Sequence, residues 1–274
     1  MSFIEAKGLS FTYEGGSPVL DGISFSIERG ESVSVLGDNG SGKSTLLSLL
    51  DALLVPTSGT LTVDGLSVGD RKVERLIRER TGLVFQNPDS SFVTEILEDD
   101  TAFTPGCYLD DETLIRALTE GALGEVGLTK KRKNSVRTLS GGEKQRASVA
   151  GVRTMDPDIY LFDESLSFLD GMCRGNLLSI MKSLKAVGKT LIQVTHYAGD
   201  AAWSDRVIVL RDGKILKEGS PREILYDTET LESAGIVPPE SVLLVNKLRE
   251  AGMDIEGNPL TAEEVAGCMQ KALL

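Results

Sequence analysis

The sequence predicts an α/β fold built around a phosphate-binding loop, and three observations carry that reading. Gly37 to Thr45, Gly-Asp-Asn-Gly-Ser-Gly-Lys-Ser-Thr, satisfies G-x-x-x-x-G-K-[ST]. It lies between a Val-rich alternating run, Ser32 to Leu36, and a Leu-rich stretch free of Gly and Pro, Ser44 to Leu53. Asp158 to Glu164 is an apolar run that ends in two acids, and Thr190 to Thr195 is another that ends at His196, the one histidine of the chain. Strand, glycine loop and helix start in that order make an anion site. The glycines let backbone N–H groups turn inward, and the helix N-terminus adds its dipole. Lys43 is placed to reach the β- and γ-phosphates, and the Ser44 hydroxyl to hold Mg²⁺.

The chain has 274 residues, room for one large domain or one domain with a small appendage. A net charge of −12 argues against wrapping nucleic acid, which takes a basic stripe. Cys107, Cys173 and Cys268 are far apart and fit neither a metal spacing nor a disulfide framework, so a reducing compartment is expected. The opening Met-Ser-Phe-Ile-Glu lacks the charged region and apolar core of a signal peptide. The longest apolar patch, Leu46 to Val55, is too short to span a bilayer. Any membrane role is therefore expected to run through a partner or the surface.

In chain order, Phe3 to Tyr13 and Ile23 to Ile27 read as strands around the turn Gly15-Gly16-Ser17-Pro18. Tyr13 reads either as a packed strand aromatic or as a platform for a nucleotide base. Thr60 to Val63 alternates ahead of a hairpin-type Asp64-Gly65 turn, and Arg71 to Arg80 reads as a charged helix. Gly82 to Phe85 is a short apolar run ending at Gln86, whose amide is an ordinary loop group or one that reaches a metal or an attacking water. Asn87 to Tyr108 has loop character and many acids: Asp89, Glu95, Glu98, Asp99 and Asp100. Asp110 to Val126 reads as a helix with Leu114, Leu118, Ala122 and Val126 in i, i+4 register.

Lys130 to Lys133, the one basic run, reads as a solvated loop ahead of a phosphate or anionic-lipid contact. In Leu139 to Arg146, Ser140 caps a helix that continues through Ala150, a second helix N-terminus able to bind anions. Asp163, at the end of a buried strand beside a phosphate loop, suits Mg²⁺, and Glu164 is placed to orient or polarise a water. A helix is expected from about Arg174 to Ala186, with Leu177, Leu178, Met181 and Leu184 on one side. Arg206 to Leu210 and Lys214 to Glu218 form a hairpin around Asp212-Gly213. Pro221 opens a short helix, Arg222 to Tyr226. Ser241 to Ala251 reads as a helix with Leu244, Leu248 and Ala251 on one face, and Thr261 to Glu264 as a capping box opening a last helix to about Leu273. This tail is expected to pack on the core or on a second copy.

The order of these pieces resembles an ATP-binding cassette (ABC) ATPase from Phe3 to about Glu218. Gly37, Asp38, Asn39, Gly40, Ser41, Gly42, Lys43, Ser44 and Thr45 match the family's Walker A loop, and Gln86 its Q-loop. Leu139 to Arg146 match the signature, Asp163 and Glu164 the Walker B acid and catalytic glutamate, Asp170 the D-loop acid and His196 the switch histidine. Tyr13 sits where the family has its base-stacking aromatic. The resemblance implies a RecA-like core with an N-terminal antiparallel β subdomain and a helical signature subdomain at about 87–155, together spanning 1–220. A small α-rich C-terminal domain for dimerisation or docking, 221–274, would follow. ATP would bind Tyr13 and the loop, with Mg²⁺ held by Ser44, Gln86 and Asp163 and hydrolysis carried by Glu164, His196 and Gln86. Leu139, Ser140, Gly141, Gly142 and Glu143 would complete the site of a facing protomer.

A finer resemblance, to the ATPase subunits of energy-coupling factor (ECF) transporters, rests on Val84 to Asp89, on Leu139 to Arg146 and on the tail from Pro221 to Glu264. It implies energised uptake of a vitamin or a transition-metal ion at the cytoplasmic face of the cell membrane. The implied partners are a second cassette, identical or different, a membrane-embedded coupling (T) subunit and a substrate-binding (S) subunit, with no nucleic acid. The acids after Gln86 are then either solvated or acceptors for basic side chains of a coupling helix. Ser90-Ser91, Thr104-Pro105-Gly106, Asn134, Val136 and Gly171 to Arg174 depart from the usual pattern, which bears on the coupling partner and leaves the hydrolytic residues untouched. The alternatives are the ATPase of another ABC importer, a non-transport ABC ATPase and a regulatory nucleotide binder without turnover. The second usually carries a basic surface, a coiled-coil insertion or tandem cassettes, and intact Glu164 and His196 argue against the third.

Overall fold

Ten strands divide between two sheets in the computed structural model, which describes residues 2–167 and 169–272. In chain order they are β1 (Ile4–Thr12), β2 (Pro18–Ile27), β3 (Ser32–Leu36), β4 (Ser58–Val63), β5 (Leu66–Ser67), β6 (Thr81–Val84), β7 (Ile159–Asp163), β8 (Thr190–Thr195), β9 (Arg206–Arg211) and β10 (Lys214–Gly219). The first sheet is antiparallel in the order β2-β1-β4-β5. The second has the order β10-β9-β3-β8-β7-β6 and is parallel except for the β9–β10 hairpin. Every residue of central β3 is buried, serines included. Ser32 donates to Asp205 and Ser34 to Ser204, each at 2.9 Å, so the polar half of the alternation is satisfied inside the protein.

The helices are α1 (Lys43–Leu50), α2 (Glu74–Arg80), α3 (Leu97–Gly106), α4 (Glu112–Glu125), α5 (Gly141–Arg153), α6 (Gly171–Ala186), α7 (Pro221–Leu225), α8 (Thr228–Ser233), α9 (Glu240–Glu250) and α10 (Ala262–Ala272). Leu46, Leu47, Leu49 and Leu50 of α1 join residues of both sheets in one apolar cluster that includes Leu9, Leu20, Val35, Leu161 and Ile192. Each buried leucine contributes roughly 1.5–3 kcal/mol, so α1 is held from both sides. It stops at Leu50, short of the expected Leu53. Ala52 turns left-handed at φ 52°, and the N–H groups of Leu53 and Leu54 close back on the Ser48 carbonyl.

Several expectations need correction. Asn87 to Tyr108 is not all loop, because α3 lies within it. Its buried residues are Leu97, Thr101 and Pro105, and two of these three are not aliphatic, so no stripe shows in the sequence. Glu98, Asp99 and Asp100 sit in its first turn, where the helix dipole favours acids. On α4 the expected series holds in its second half only: Ala122 and the C-cap Val126 are buried, together with Thr119 and Leu123, while Leu114 is 44% exposed. Steps of four residues drift about 40° each around a helix, so a long i, i+4 series leaves the core. The helix expected from Arg174 starts at Gly171, with Asp170 as its cap accepting from the Cys173 N–H at 2.8 Å. On α9, Val242 and Val245 are buried and Leu244 is exposed. Phe168 and the expected helix end at Leu273 lie outside the described residues.

The tail packs against the parallel sheet. Ile224, Leu225, Leu231, Ile236 and Val242 share an apolar cluster with Leu36, Ala198, Ala201, Val207 and Val209. Val245, Ile255 and Val265 form a smaller cluster further out.

Candidate active site

β3, β8, β7 and β6 are consecutive neighbours, and their carboxyl ends are nearly level. Leu36 pairs with Thr195, Asp163 with Val194 and Val84 with Phe162. The residues that follow, the phosphate loop, His196, Glu164 and Gln86, therefore emerge side by side at one sheet edge, where α/β folds bind ligands.

Lys43 is buried, and its Nζ donates to the carbonyls of Gly37 and Asp38, each at 2.9 Å. The same Nζ lies 3.5 Å from Oε1 of Glu164. α1 has no side-chain cap and no acid in its first turn, which leaves its first N–H groups and dipole to an anion. Its cap residue, Gly42, has φ 104°, and a Cβ there would stand 2.7 Å from Leu20 Cδ2 and 2.9 Å from the Val19 carbonyl. Only glycine fits. Inside the loop, the Ser41 hydroxyl is buried with no hydrogen-bond partner, a polar group that a phosphate oxygen would satisfy.

The Ser44 hydroxyl donates to Asp163 Oδ1 at 2.9 Å. Burial raises the Asp163 pKa above the usual carboxylate range, and the Ser44 hydroxyl partly offsets this. Among the described residues no three His, Cys, Asp or Glu groups converge as a metal site. Mg²⁺ characteristically takes one or two protein oxygens and completes its shell with phosphate and water, which the Ser44–Asp163 pair fits.

Glu164 is 7% exposed and gathers the other strand ends. Its Oε2 lies 3.1 Å from Gln86 Nε2 and 3.1 Å from His196 Nδ1. Its backbone is left-handed, φ 42°, a strained state for glutamate that costs on the order of 1–3 kcal/mol. Two hydrogen bonds hold it there: its N–H donates to the Val194 carbonyl at 3.0 Å, and its carbonyl accepts from the Ser167 N–H at 2.9 Å. Tyr13 is half exposed, edge-on to Phe11, with its hydroxyl 3.2 Å from Thr45 Oγ1.

Tyr13, the loop, Gln86, Asp163, Glu164 and His196 thus assemble around one sheet edge, while the other expected site residues do not. Among the described residues, no hydrogen bond from Leu139–Glu143 or Asp170 reaches that cluster. Ser140 and Glu143 form a capping box on α5, and Lys131 donates to Glu143 at 2.6 Å, holding its carboxyl below the usual range. Gly142 lies against Cys173 on α6.

The basic run keeps the solvent exposure expected of it, with Lys130 and Lys133 exposed, while three of its residues also pair within the chain: Lys131 with Glu143, and Arg132 and Lys133 with Glu98. Asp89 pairs with Lys144, and Asp100 accepts from the N–H groups of Val93 and Thr94, so these acids are partly committed too. Two contacts carry no signal in the sequence. Buried Gln145 on α5 donates to the Phe85 carbonyl at 3.2 Å, tying the signature helix to the residue before Gln86. In the tail, Gly235 comes so close to Asp38 that a Cβ would meet its carboxylate at 2.9 Å.

The pattern of the ABC transporter family matches residues 20–167. An energy-coupling factor transporter ATP-binding protein, EcfA1, of Caldanaerobacter subterraneus is 39% identical over 271 residues, covering 97% of this chain and 98% of the relative. The chain belongs to the ABC transporter family, among its energy-coupling factor ATP-binding proteins. EcfA1 of Halalkalibacterium halodurans is 38% identical over 267 residues, covering 97% of this chain and 96% of the relative. Among solved structures, cbiO1 of Clostridium perfringens, described as part of the ABC transporter complex cbiONQ, has a TM-score of 0.77 at 29% identity. It covers 89% of this chain and 99% of its own. A dimeric ATP-binding cassette in a post-hydrolysis state with ADP and Pi has a TM-score of 0.73 at 27% identity, covering 80% of this chain and 99% of its own. The expected α/β cassette, with its antiparallel β sheet beside a parallel core, is the fold of this ABC ATPase. Its nucleotide is ATP and its metal Mg²⁺. Among the described residues, no helix is long and apolar enough to cross a membrane.

Proposed function

We propose that this ABC ATPase is one of two facing cassettes that energise uptake of a vitamin or transition-metal ion through integral membrane subunits. The observation that carries the reading is the Glu164 carboxylate, which meets Lys43, Gln86 and His196 at the end of a buried strand. Tyr13 stacks on the base, while Gly37–Thr45 and Lys43 grip the phosphates. Ser44 and Asp163, joined by Gln86, would hold Mg²⁺, which when bound would supply positive charge beside the phosphoryl oxygens. Glu164 accepts a proton from the attacking water, His196 steadies that carboxylate beside the γ-phosphate, and Gln86 orients the water.

The signature from Leu139 to Glu143 acts in trans. α5 offers its N-terminus to the γ-phosphate held by the facing protomer, and Asp170 lies at the same seam. Contacts to the γ-phosphate that exist only when the pair is closed make ATP drive closure and hydrolysis relax it. Gln145 and Lys144 join α5 to Phe85 and Asp89, which supports a route from Gln86 to the signature. A groove beside Gln86 is lined by Leu83, Phe85, Val93, Phe103 and Val152, three of them exposed hydrophobics. A helix of the membrane coupling subunit fits there, with Asp99 on the same subdomain available to a basic side chain. The segment 221–274 serves as the docking or dimerisation unit. The chain then sits at the cytoplasmic face of the membrane, bound to a coupling and a substrate-binding subunit.

The test is purification of the tagged chain from membranes of its source. Integral subunits should accompany it, and the complex should release phosphate from Mg-ATP. A complex that binds ATP without releasing phosphate, or a chain recovered with no integral partner, would overturn the proposal.

A further inference from the structure

Behind the candidate active site, α6 is fastened to the loop that carries His196. The Arg174 N–H donates to the Asp170 carbonyl at 2.8 Å, which places Arg174 one turn into α6. Its guanidinium pairs with Oδ1 of Asp200, a residue of the turn that follows His196. Asp200 is 5% exposed, so its charge is sustained by that pairing and by hydrogen bonds. Its second oxygen accepts from the Thr195 hydroxyl at 3.2 Å, and the Thr195 Oγ1 accepts from the Tyr197 N–H at 3.0 Å. Of the two neighbours of His196, Thr195 is therefore tied directly to this buried carboxylate and Tyr197 is tied to it through the Thr195 hydroxyl. The Asp200 carbonyl also accepts from buried Gln193 of β8 at 2.7 Å. The Tyr197 ring completes the arrangement. It lies 4.3 Å from the His196 ring, and the Arg174 guanidinium stands 5.4 Å from its centre.

We propose that Arg174 and Asp200 are positioning residues for hydrolysis: the pair fastens the helix that starts at Asp170 to the loop that bears His196, so that the two move as one unit. A displacement of Asp170 at the seam between protomers then reaches Glu164 through α6, Asp200 and the His196 ring. The pair touches neither nucleotide nor water. It acts by keeping His196 Nδ1 on Glu164, and it rests on the reading of those two residues given above. Arg174, Tyr197 and the tail residues Pro238, Leu244 and Val265 line a common groove of about 810 Å³, so the tail borders this link.

The experiment compares Arg174→Met, Arg174→Lys and Asp200→Asn in the assembled complex, each with and without His196→Ala. Single-turnover phosphate release extends the range for slow variants. Arg174→Met should lower kcat by about 10²-fold, the scale of a misplaced catalytic group, with KM for ATP little changed. Arg174→Lys, which keeps the charge, should recover part of that loss. In the His196→Ala background Arg174→Met should cost nothing more, because the ring it positions is gone. Unchanged kcat in Arg174→Met would overturn the proposal, as would an equal fold-loss in the His196→Ala background, or a rise in KM together with a lowered melting temperature. Should Arg174→Met not fold, Arg174→Lys and Asp200→Asn carry the same comparison. If His196→Ala alone turns over normally, the reading of the active site fails instead, so the two failures are distinguishable.

Discussion

His196 Nδ1 and Glu164 Oε2 stand 3.1 Å apart, although 32 residues separate them in the chain. β7 and β8 are neighbours in register, so the residue after each strand meets the other without any loop reaching across. Gln86, after β6, adds its amide to the same oxygen at 3.1 Å. Three strand ends thus share one acceptor, and Lys43 faces the carboxylate's other oxygen. A carboxylate held by three side chains is preoriented, which is what general-base chemistry on a positioned water needs.

Lys43→Ala removes a buried cation with three oxygen partners, and leaves Glu164 without its ion pair and two loop carbonyls without a donor. It also removes the cation that would meet the phosphates, and losing one partner of such a charge pair costs about 3–4 kcal/mol of binding, so Mg-ATP should bind about 10²–10³-fold more weakly. Titration calorimetry reads this directly, and wild-type affinity would refute the role given to Lys43.

At Gly142 a Cβ would stand 2.4 Å from Cys173 Sγ and 2.7 Å from Cys173 Cβ. Gly142→Ala should therefore push α5 from α6 and destabilise the fold by about 1–3 kcal/mol, the usual range for overpacking. Cys173→Ala in the same chain should relieve little, because its Cβ stays in the way, whereas Cys173→Gly should restore most of the loss. Urea unfolding of the four proteins checks the order.

Asp51 caps α1 and accepts from the Thr81 hydroxyl at 2.5 Å. Burial pushes its pKa up from 3.8 to about 6, against the opposing effects of Thr81 and Arg78. The folded state then holds the proton more tightly than the unfolded state between about pH 4 and 6. Stability falls as pH rises through that window, by roughly 3 kcal/mol in all. Asp51→Asn should match the wild type near pH 4 and exceed it in stability above pH 6. Parallel stability curves for the two proteins would show that Asp51 ionises normally.

Much of the fold was legible because its signals are chemical and local. Fully apolar strands, the Asp64-Gly65 and Asp212-Gly213 turns and the phosphate-loop pattern all declare themselves in short windows. What stayed hidden depends on neighbours far along the chain. α3 faces the core through Thr101 and Pro105, residues that do not announce burial, and the face of α4 is set by helical drift and not by its most apolar series. The candidate site was legible as a list of polar residues at strand ends. Its geometry was not: the left-handed backbone of Glu164 contradicts its residue type, and the Gln145–Phe85 and Arg174–Asp200 contacts join segments with no shared pattern.

The most direct measurement is phosphate release by the assembled complex carrying Glu164→Gln, with ATP binding followed in parallel. The amide keeps the shape of the side chain and loses its ability to accept a proton, so ATP should stay bound while release slows by about 10²–10⁴-fold, the usual contribution of a general base. Release at the wild-type rate would mean that another group activates the water, and would contradict the role assigned to Glu164.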